Sequence, residues 1–298
     1  MRPFSRRSPF RPVQVLSLAV LVALGAYALL VLGLWRFQER IVFQPPRVDR
    51  GQVTAEHTFA LGATPVRQVS YRARDGWPLF AYLVGDPARS AELLIAFHGN
   101  ADLARNLLPW AVEAVRLTGA AVLLPEYRGY DGLTGPPTYH GIADDARAAL
   151  AVAHDALHVP ENRIVLFGHS LGSAVATELA ADAGARSLVL QSPFSSAREM
   201  ARRMAVPGLS MLWRLVARVH YNTEIRVRQL QMPVWVAHGD RDLIVPVRMG
   251  RSVYEAATVK GGLLIVHGAG HNDVPDRGGR AYWEWMRRAV GRRVPGDG

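Results

Sequence analysis

The sequence predicts an α/β fold in which a mostly parallel β-sheet is flanked by helices and preceded by one N-terminal transmembrane helix. Two observations favour this fold. After residue 65, short apolar runs alternate with longer amphipathic runs, which is typical of βαβ units around a parallel sheet. Before that point, residues 13–35 carry no charge and are numerous enough to cross a bilayer as one helix. The chain has 298 residues, which is ample length to bury a core.

Eight strands and four helices are predicted within a main domain at residues 66–290, followed by a tail at 291–298. The strand candidates are 66–73, 78–85, 93–98, 121–125, 163–167, 187–190, 234–238 and 263–267. The helical stretches are 102–118, 142–158, 171–183 and 279–290.

A short helical insertion interrupts this alternation before the strand at 234–238. Residues 195–231 contain no strand pattern, and apolar residues recur there at near-helical spacing. Met204, Met211 and Trp213 are candidate substrate-binding residues, since the insertion could cover an apolar pocket. Ordinary core packing is the alternative.

The N-terminal apolar stretch is either an uncleaved signal anchor or a cleaved signal peptide. The apolar core of a cleaved peptide has about 7–15 residues, so the longer stretch favours the anchor. Residues 1–12 contain four arginines, and a connector at 36–65, which could add an edge strand, contains two more near its start. The positive-inside rule then leaves the N-terminus in the cytoplasm. We therefore expect a single-pass protein of the inner or plasma membrane with an extracytoplasmic domain, periplasmic in a Gram-negative cell.

Composition and motifs disfavour several functions. The absence of cysteine excludes a disulfide scaffold, a thiolate nucleophile and cysteine-ligated metals. The net charge of +10 is concentrated at the two ends: residues 1–40 hold six arginines and one acidic residue, and residues 277–298 hold six arginines and two acidic residues. Nucleic-acid binding would instead need a basic face on a folded element. Because metal-binding and nucleotide-binding motifs are also missing, we expect no metal, no cofactor and no nucleic-acid partner.

A candidate nucleophile lies between the strand at 163–167 and the helix at 171–183. The sequence there is Gly-His-Ser-Leu-Gly at 168–172, a G-x-S-x-G pattern on a strand-to-helix turn. Such a turn needs very small residues on both sides of the serine, because the backbone packs closely there. It also places Ser170 at a helix N-terminus, where amides favour developing negative charge.

A base and an orienting carboxylate are also needed, because a serine hydroxyl is a poor nucleophile. Asp240 and Asp242 follow the strand at 234–238, and His271 follows the next strand. We favour Asp242 as the acid, with Asp240 as the alternative. His271 is the preferred base, because His267 lies within an apolar strand and is expected to be a packed core residue.

Two backbone amides are candidates for stabilising an oxyanion. Leu171 directly follows the serine, and Asn100 lies in the loop after the strand at 93–98. Asn100 could also cap the helix that begins near residue 102.

Together these motifs resemble those of the α/β-hydrolase superfamily over nearly all of residues 66–290. They are HGNA at 98–101, EYRGY at 126–130, GHSLG at 168–172 and GHND at 270–273. The combination is most similar to a membrane-anchored branch related to eukaryotic α/β-hydrolase-domain proteins that include protein depalmitoylases. The resemblance implies a triad of Ser170, Asp242 and His271, with Leu171 and Asn100 at the oxyanion site. One departure is Asp131, since the group usually has glycine there.

The sequence thus predicts a membrane-anchored serine hydrolase of carboxylic esters or thioesters, whose substrate is a small-molecule ester or an acyl, lipid-like compound. An aminopeptidase, lactonase or acyltransferase could use the same triad. A non-catalytic membrane-bound binding protein is disfavoured, because nucleophile, acid, base and oxyanion loop are all present. Arg128 is expected to pair with a buried carboxylate or loop carbonyls, and a clamp for a substrate carboxylate is the alternative.

Overall fold

The computed structural model describes residues 12–47, 58–203 and 216–291, and all structural statements below concern these residues. Nine β-strands form one sheet: β1 Thr58–Leu61, β2 Thr64–Arg72, β3 Pro78–Val84, β4 Leu93–Phe97, β5 Ala121–Pro125, β6 Ile164–His169, β7 Ser187–Gln191, β8 Val234–Gly239 and β9 Lys260–Val266. The α-helices are α1 Pro12–Val42, α2 Leu108–Thr118, α3 Tyr139–Ala151, α4 Leu171–Asp182, α5 Ala197–Arg203, α6 Thr223–Val227, α7 Val247–Ala256 and α8 Val274–Val290.

The sheet has the strand order β1-β2-β3-β5-β4-β6-β7-β8-β9. The first three strands run antiparallel to their neighbours, and the pairs from β5 to β9 are all parallel. Strands β4, β5 and β7 are buried along their whole length, as expected of parallel strands covered on both faces. Helices α2 and α8 cover one face, while α3, α4 and α7 cover the other. The predicted α/β architecture is confirmed.

Several elements differ from the sequence-based expectation, and three of the differences are the most informative. The sheet has nine strands rather than eight, because β1 forms within the predicted connector and pairs with β2 as an edge strand. Helix α7 is not among the predicted helices, since its sequence carries charge and few large apolar residues. Helix α8 begins at Val274 rather than at residue 279, with Pro275 in its first turn, and a non-helical φ of 46° at Gly279 interrupts it.

Helix α1 is longer than the predicted span at 13–35. It continues to Val42, so the first part of the predicted connector at 36–65 is helical. An 18-residue stretch within Gln14–Val42 has a mean hydropathy of 2.7, and large apolar side chains along the helix are exposed. Its length and composition are those of a membrane-spanning helix, and a signal sequence near an N-terminus has the same properties.

The insertion between β7 and β8 is present as expected, with α5 and α6 in its described part. Met204, Met211 and Trp213 lie outside the described residues.

Candidate active site

Ser170 occupies a sharp turn between β6 and α4. Its φ of 53° and ψ of −115° lie in a region that side chains other than glycine rarely adopt, so the turn is locally strained. A Cβ on Gly168 would collide with the carbonyl oxygen of Gly172, and one on Gly172 would collide with the carbonyl oxygen of Phe97. The two glycines are therefore required by the close approach of three backbone segments, as their spacing around the serine predicts.

His271 connects Ser170 to Asp242. Its Nε2 lies 2.8 Å from the Ser170 hydroxyl oxygen, and its Nδ1 lies 2.6 Å from Asp242 Oδ2. Since the carboxylate accepts, Nδ1 carries a proton and Nε2 is free to accept the serine proton. The three residues follow β6, β8 and β9, so parallel strands bring them to one edge of the sheet.

Asp242 is held as a buried, ionised carboxylate. Its Oδ1 accepts hydrogen bonds from the backbone amides of Ile244 and Val245, at 2.9 and 2.8 Å. His238 Nε2 donates to the Val245 carbonyl oxygen at 2.9 Å and also lies 3.2 Å from Asp242 Oδ2. Burial alone would raise the pKa of Asp242, but the hydrogen bonds from His238 and His271 outweigh it and hold that pKa well below its usual value.

The loop after β4 packs directly against Ser170. A Cβ on Gly99 would lie 3.5 Å from Ser170 Cβ, which shows how closely the two segments approach. Leu171 is the first residue of α4, and the first amides of a helix have no acceptor within the helix. Asn100 and Leu171 both line a cavity of about 260 Å³ next to Ser170. The two residues predicted to supply oxyanion amides thus lie beside the serine.

Comparison with known proteins identifies the family. A model of the α/β hydrolase fold matches residues 92–215. Rv2307c, an uncharacterized protein of Mycobacterium tuberculosis, is 32% identical over 280 residues, which cover 93% of this chain and 94% of that protein. The chain belongs to the α/β-hydrolase superfamily.

Other relatives and solved structures are similar to this α/β hydrolase. The α/β hydrolase domain-containing protein aho-3 of Caenorhabditis elegans is 33% identical, covering 66% of this chain and 57% of that protein. Protein bem46 of Schizosaccharomyces pombe is 28% identical, covering 74% and 75%. The solved structure of the Pyrococcus furiosus esterase Pf2001 has a TM-score of 0.62 at 21% identity, over 83% of this chain and 99% of that one, which shows a shared fold.

The alternative acid and base of this α/β hydrolase pair with each other instead of with the serine. His267 Nδ1 lies 2.9 Å from Asp240 Oδ2 at the molecular surface. The expectation that His267 is a packed core residue is wrong, because β9 ends at Val266 and the His267 side chain is 91% exposed.

Helix capping was the alternative role predicted for Asn100, but its side chain does not cap a helix. Its Nδ2 donates to the carbonyl oxygen of Val42 at 2.5 Å, and its Oδ1 accepts from the Gln44 amide at 2.9 Å. The Tyr130 hydroxyl donates to the same Oδ1 at 2.9 Å. The residue of the predicted oxyanion loop is thus fixed to the C-terminal end of α1, an arrangement that no motif in the sequence indicates.

A buried His–Glu pair lies beneath that loop. His98 Nδ1 donates to the Gly99 carbonyl and Nε2 to Glu126, each at 2.8 Å, so both ring nitrogens carry protons. Burial lowers the pKa of His98, but the Glu126 carboxylate outweighs burial, and the net pKa is raised. Glu126 also accepts from the Ala104 and Tyr127 amides. This pair fixes the backbone that carries Asn100, and its two members belong to the HGNA and EYRGY motifs of the sequence.

Arg128 has a structural contact, as expected, rather than a position in the cavity. It donates to Asp145 and Asp75, and Arg128 and Asp145 are almost completely buried.

The backbone at Asp131 explains why aspartate can replace the usual glycine of the motif. Its φ of 43° is left-handed, a conformation that glycine adopts readily and aspartate tolerates. Its carboxylate pairs with Arg105 at 3.3 Å. Within the described residues, no group of three or more His, Asp or Glu side chains could hold a metal ion.

Proposed function

We propose that this α/β hydrolase is a membrane-anchored serine hydrolase that cleaves carboxylic esters or thioesters of acyl substrates. The observation that carries the proposal is the hydrogen-bonded series from Ser170 through His271 to Asp242. The serine lies at a strained turn, and the cavity beside it is lined mainly by apolar residues.

The reaction follows from these contacts. Ser170 Oγ attacks the substrate carbonyl carbon while His271 Nε2 takes the hydroxyl proton. The amides of Leu171 and Asn100 stabilise the oxyanion of the tetrahedral intermediate. When the bond to the leaving group breaks, His271 protonates the departing oxygen or sulfur and an acyl-Ser170 ester remains. Water then attacks this ester and passes a proton to His271, which returns it to Ser170 Oγ as the acyl–oxygen bond breaks and the acid is released.

Asp242 keeps the imidazole in the productive tautomer during both steps. Its contact with Nδ1 leaves Nε2 unprotonated toward Ser170, and its charge stabilises the imidazolium that forms. His169 lies beside His271, with a ring-centroid separation of 5.1 Å, but does not compete as a base. Its Nε2 donates to the His271 carbonyl oxygen, and burial, assisted by the His271 charge, lowers the pKa of His169 to about 4.

The length, hydropathy and exposure of α1 support membrane anchoring in the proposal. A soluble protein would have to solvate twelve exposed large apolar side chains on α1, whereas a bilayer covers them. With four arginines before the span, the positive-inside rule favours an extracytoplasmic hydrolase domain.

The test is hydrolysis of p-nitrophenyl esters by the full-length protein in detergent micelles. Ser170→Ala should lower kcat by at least about 10⁴-fold, because the acyl-enzyme can no longer form. Ser90→Ala is the matched control, since its hydroxyl bonds only to a nearby loop carbonyl, that of Asp86. Full activity of Ser170→Ala would refute the mechanism.

A further inference from the structure

The cavity beside Ser170 is lined by several parts of the chain, and one of them is the apolar N-terminal helix. Leu34, Gln38 and Ile41 of α1 line it together with residues of the insertion and of the loop after β8. Their spacing of four and three residues places them on one face of the helix. The side chains of Arg36, Phe37 and Arg40 are exposed on other faces. The same helix that carries the candidate membrane span therefore also forms a wall of the site.

Specific polar contacts hold α1 in this position. Gln38 Nε2 donates to the Val216 carbonyl at 2.6 Å, and its Oε1 accepts from the Arg218 amide at 2.7 Å. Glu39 accepts from the Tyr139 amide at 3.0 Å and pairs with Arg218 at 3.2 Å. Phe43, directly after the helix, is buried in the core of the hydrolase domain. Hydrogen bonds, an ion pair and a core side chain together fix the helix as a structural wall.

The face of α1 that lines the cavity leads from the nucleophile toward the exposed apolar part of the helix. Val42 contacts Asn100 next to the nucleophile, whereas Leu34 lies eight residues nearer to the exposed apolar part of the helix. At a rise of 1.5 Å per residue this wall extends for about 12 Å. The rim of the cavity is apolar as well, because Ile244 lines it and both Leu243 and Ile244 are exposed. An apolar surface therefore continues from Ser170 along α1 to the segment that would enter the bilayer.

We propose that the membrane helix completes the acyl-binding pocket, and that the substrate is a long-chain acyl ester or thioester that resides in the bilayer. This inference rests on the proposed function. The carbonyl carbon lies at Ser170, and the acyl chain extends along Ile41 and then Leu34 toward the membrane. An acyl chain bound in this way stays in an apolar environment from the bilayer to the reaction centre. A polar or short-chain substrate would gain nothing from such a wall.

The test compares tryptophan substitutions on α1 in the full-length protein in detergent micelles. For p-nitrophenyl esters from acetyl to palmitoyl, kcat/KM of each variant is divided by that of the wild type at the same chain length. Ile41→Trp should lower the ratio for octanoyl and longer esters at least about tenfold more than it lowers the ratio for the acetyl ester. Leu34→Trp, farther from the serine, should reduce only the longest chains. Leu32→Trp, on an exposed position outside the cavity lining, is the matched control and should change none.

The alternative outcomes separate this inference from the function on which it rests. Unchanged chain-length profiles in both cavity variants, or an equal loss at every chain length, would overturn the acyl-wall proposal while Ser170-dependent hydrolysis remained. Absence of ester hydrolysis by the wild type would refute the proposed function, and this inference with it. Labelling of each variant by a short-chain fluorophosphonate reports whether Ser170 remains correctly folded.

Discussion

Two Asp–His pairs follow the same two strands of this hydrolase and differ in almost everything except their chemistry. Asp242 and His271 are 2.6 Å apart, with side-chain exposures of 0% and 8%, and His271 continues to Ser170. Asp240 and His267 are 2.9 Å apart, with exposures of 33% and 91%, and lie at the surface. A short distance alone therefore does not mark a candidate catalytic pair. Burial, additional donors to the carboxylate and a nucleophile within reach distinguish the first pair from the second.

Substituting each histidine in turn should give the largest difference in activity between the two Asp–His pairs. His271→Gln should lower kcat by about 10⁶-fold, as expected when the base of a serine hydrolase is removed. His267→Gln should leave kcat within about threefold of wild type, since a solvent-exposed ion pair contributes little. Ester hydrolysis by the two purified variants provides the measurement. Similar losses in both would contradict the assignment of the base.

Substituting each aspartate in turn should give a smaller but still large difference in kcat. Asp242→Asn should lower kcat by about 10⁴-fold, because the amide would favour the wrong imidazole tautomer. Asp240→Asn retains the exposed geometry and should have no comparable effect. A greater loss in the Asp240 variant would reverse the choice between the two acids.

A buried pair far from the nucleophile separates the effect of burial from that of catalysis. Asp145→Ala should lower the free energy of unfolding by roughly 3 kcal/mol, because the buried guanidinium of Arg128 loses its buried partner and keeps the partly exposed Asp75. Activity per folded molecule should persist. Denaturant unfolding and ester hydrolysis measure the two quantities, and a loss of kcat without a loss of stability would instead support the substrate-clamp alternative for Arg128.

The His98–Glu126 pair should contribute a smaller, pH-dependent stability. The folded-state pKa of His98 is raised, so its contribution is fully present below the unfolded pKa of about 6.5 and is lost as the pH rises through the folded pKa. The difference in Tm between wild type and His98→Gln should therefore be largest near pH 6 and should shrink toward pH 9. A difference that is constant with pH would contradict the raised pKa.

Sequence patterns predicted the parts of this molecule that depend on local chemistry. Small residues around Ser170 and continuous apolar strands have direct steric and solvation causes, so the turn and most of the sheet were correctly expected. His267 was misjudged because β9 ends one residue earlier than the apolar pattern suggests, which moves the side chain from core to surface. The sequence indicates β1 only as an edge strand that the connector could add, because a four-residue strand has little periodicity of its own.

Local sequence patterns do not predict contacts between residues that are far apart in the sequence. The attachment of Asn100 to Val42 joins residues 58 positions apart, and Gln38 contacts residues about 180 positions away. Gln38 and Glu39 are polar residues at the end of an apolar helix, and that was the one available sign that the helix docks onto another part of the chain. The role of α1 as a wall of the site could be found only from the folded structure.

Mapping of a fluorophosphonate adduct on the full-length protein tests the central claim most directly. After reaction, digestion and mass spectrometry, we expect the adduct on Ser170, no labelling of Ser170→Ala, and strongly reduced labelling of His271→Gln. An adduct on a different serine, or none on the correctly folded wild-type protein, would contradict Ser170 as the nucleophile.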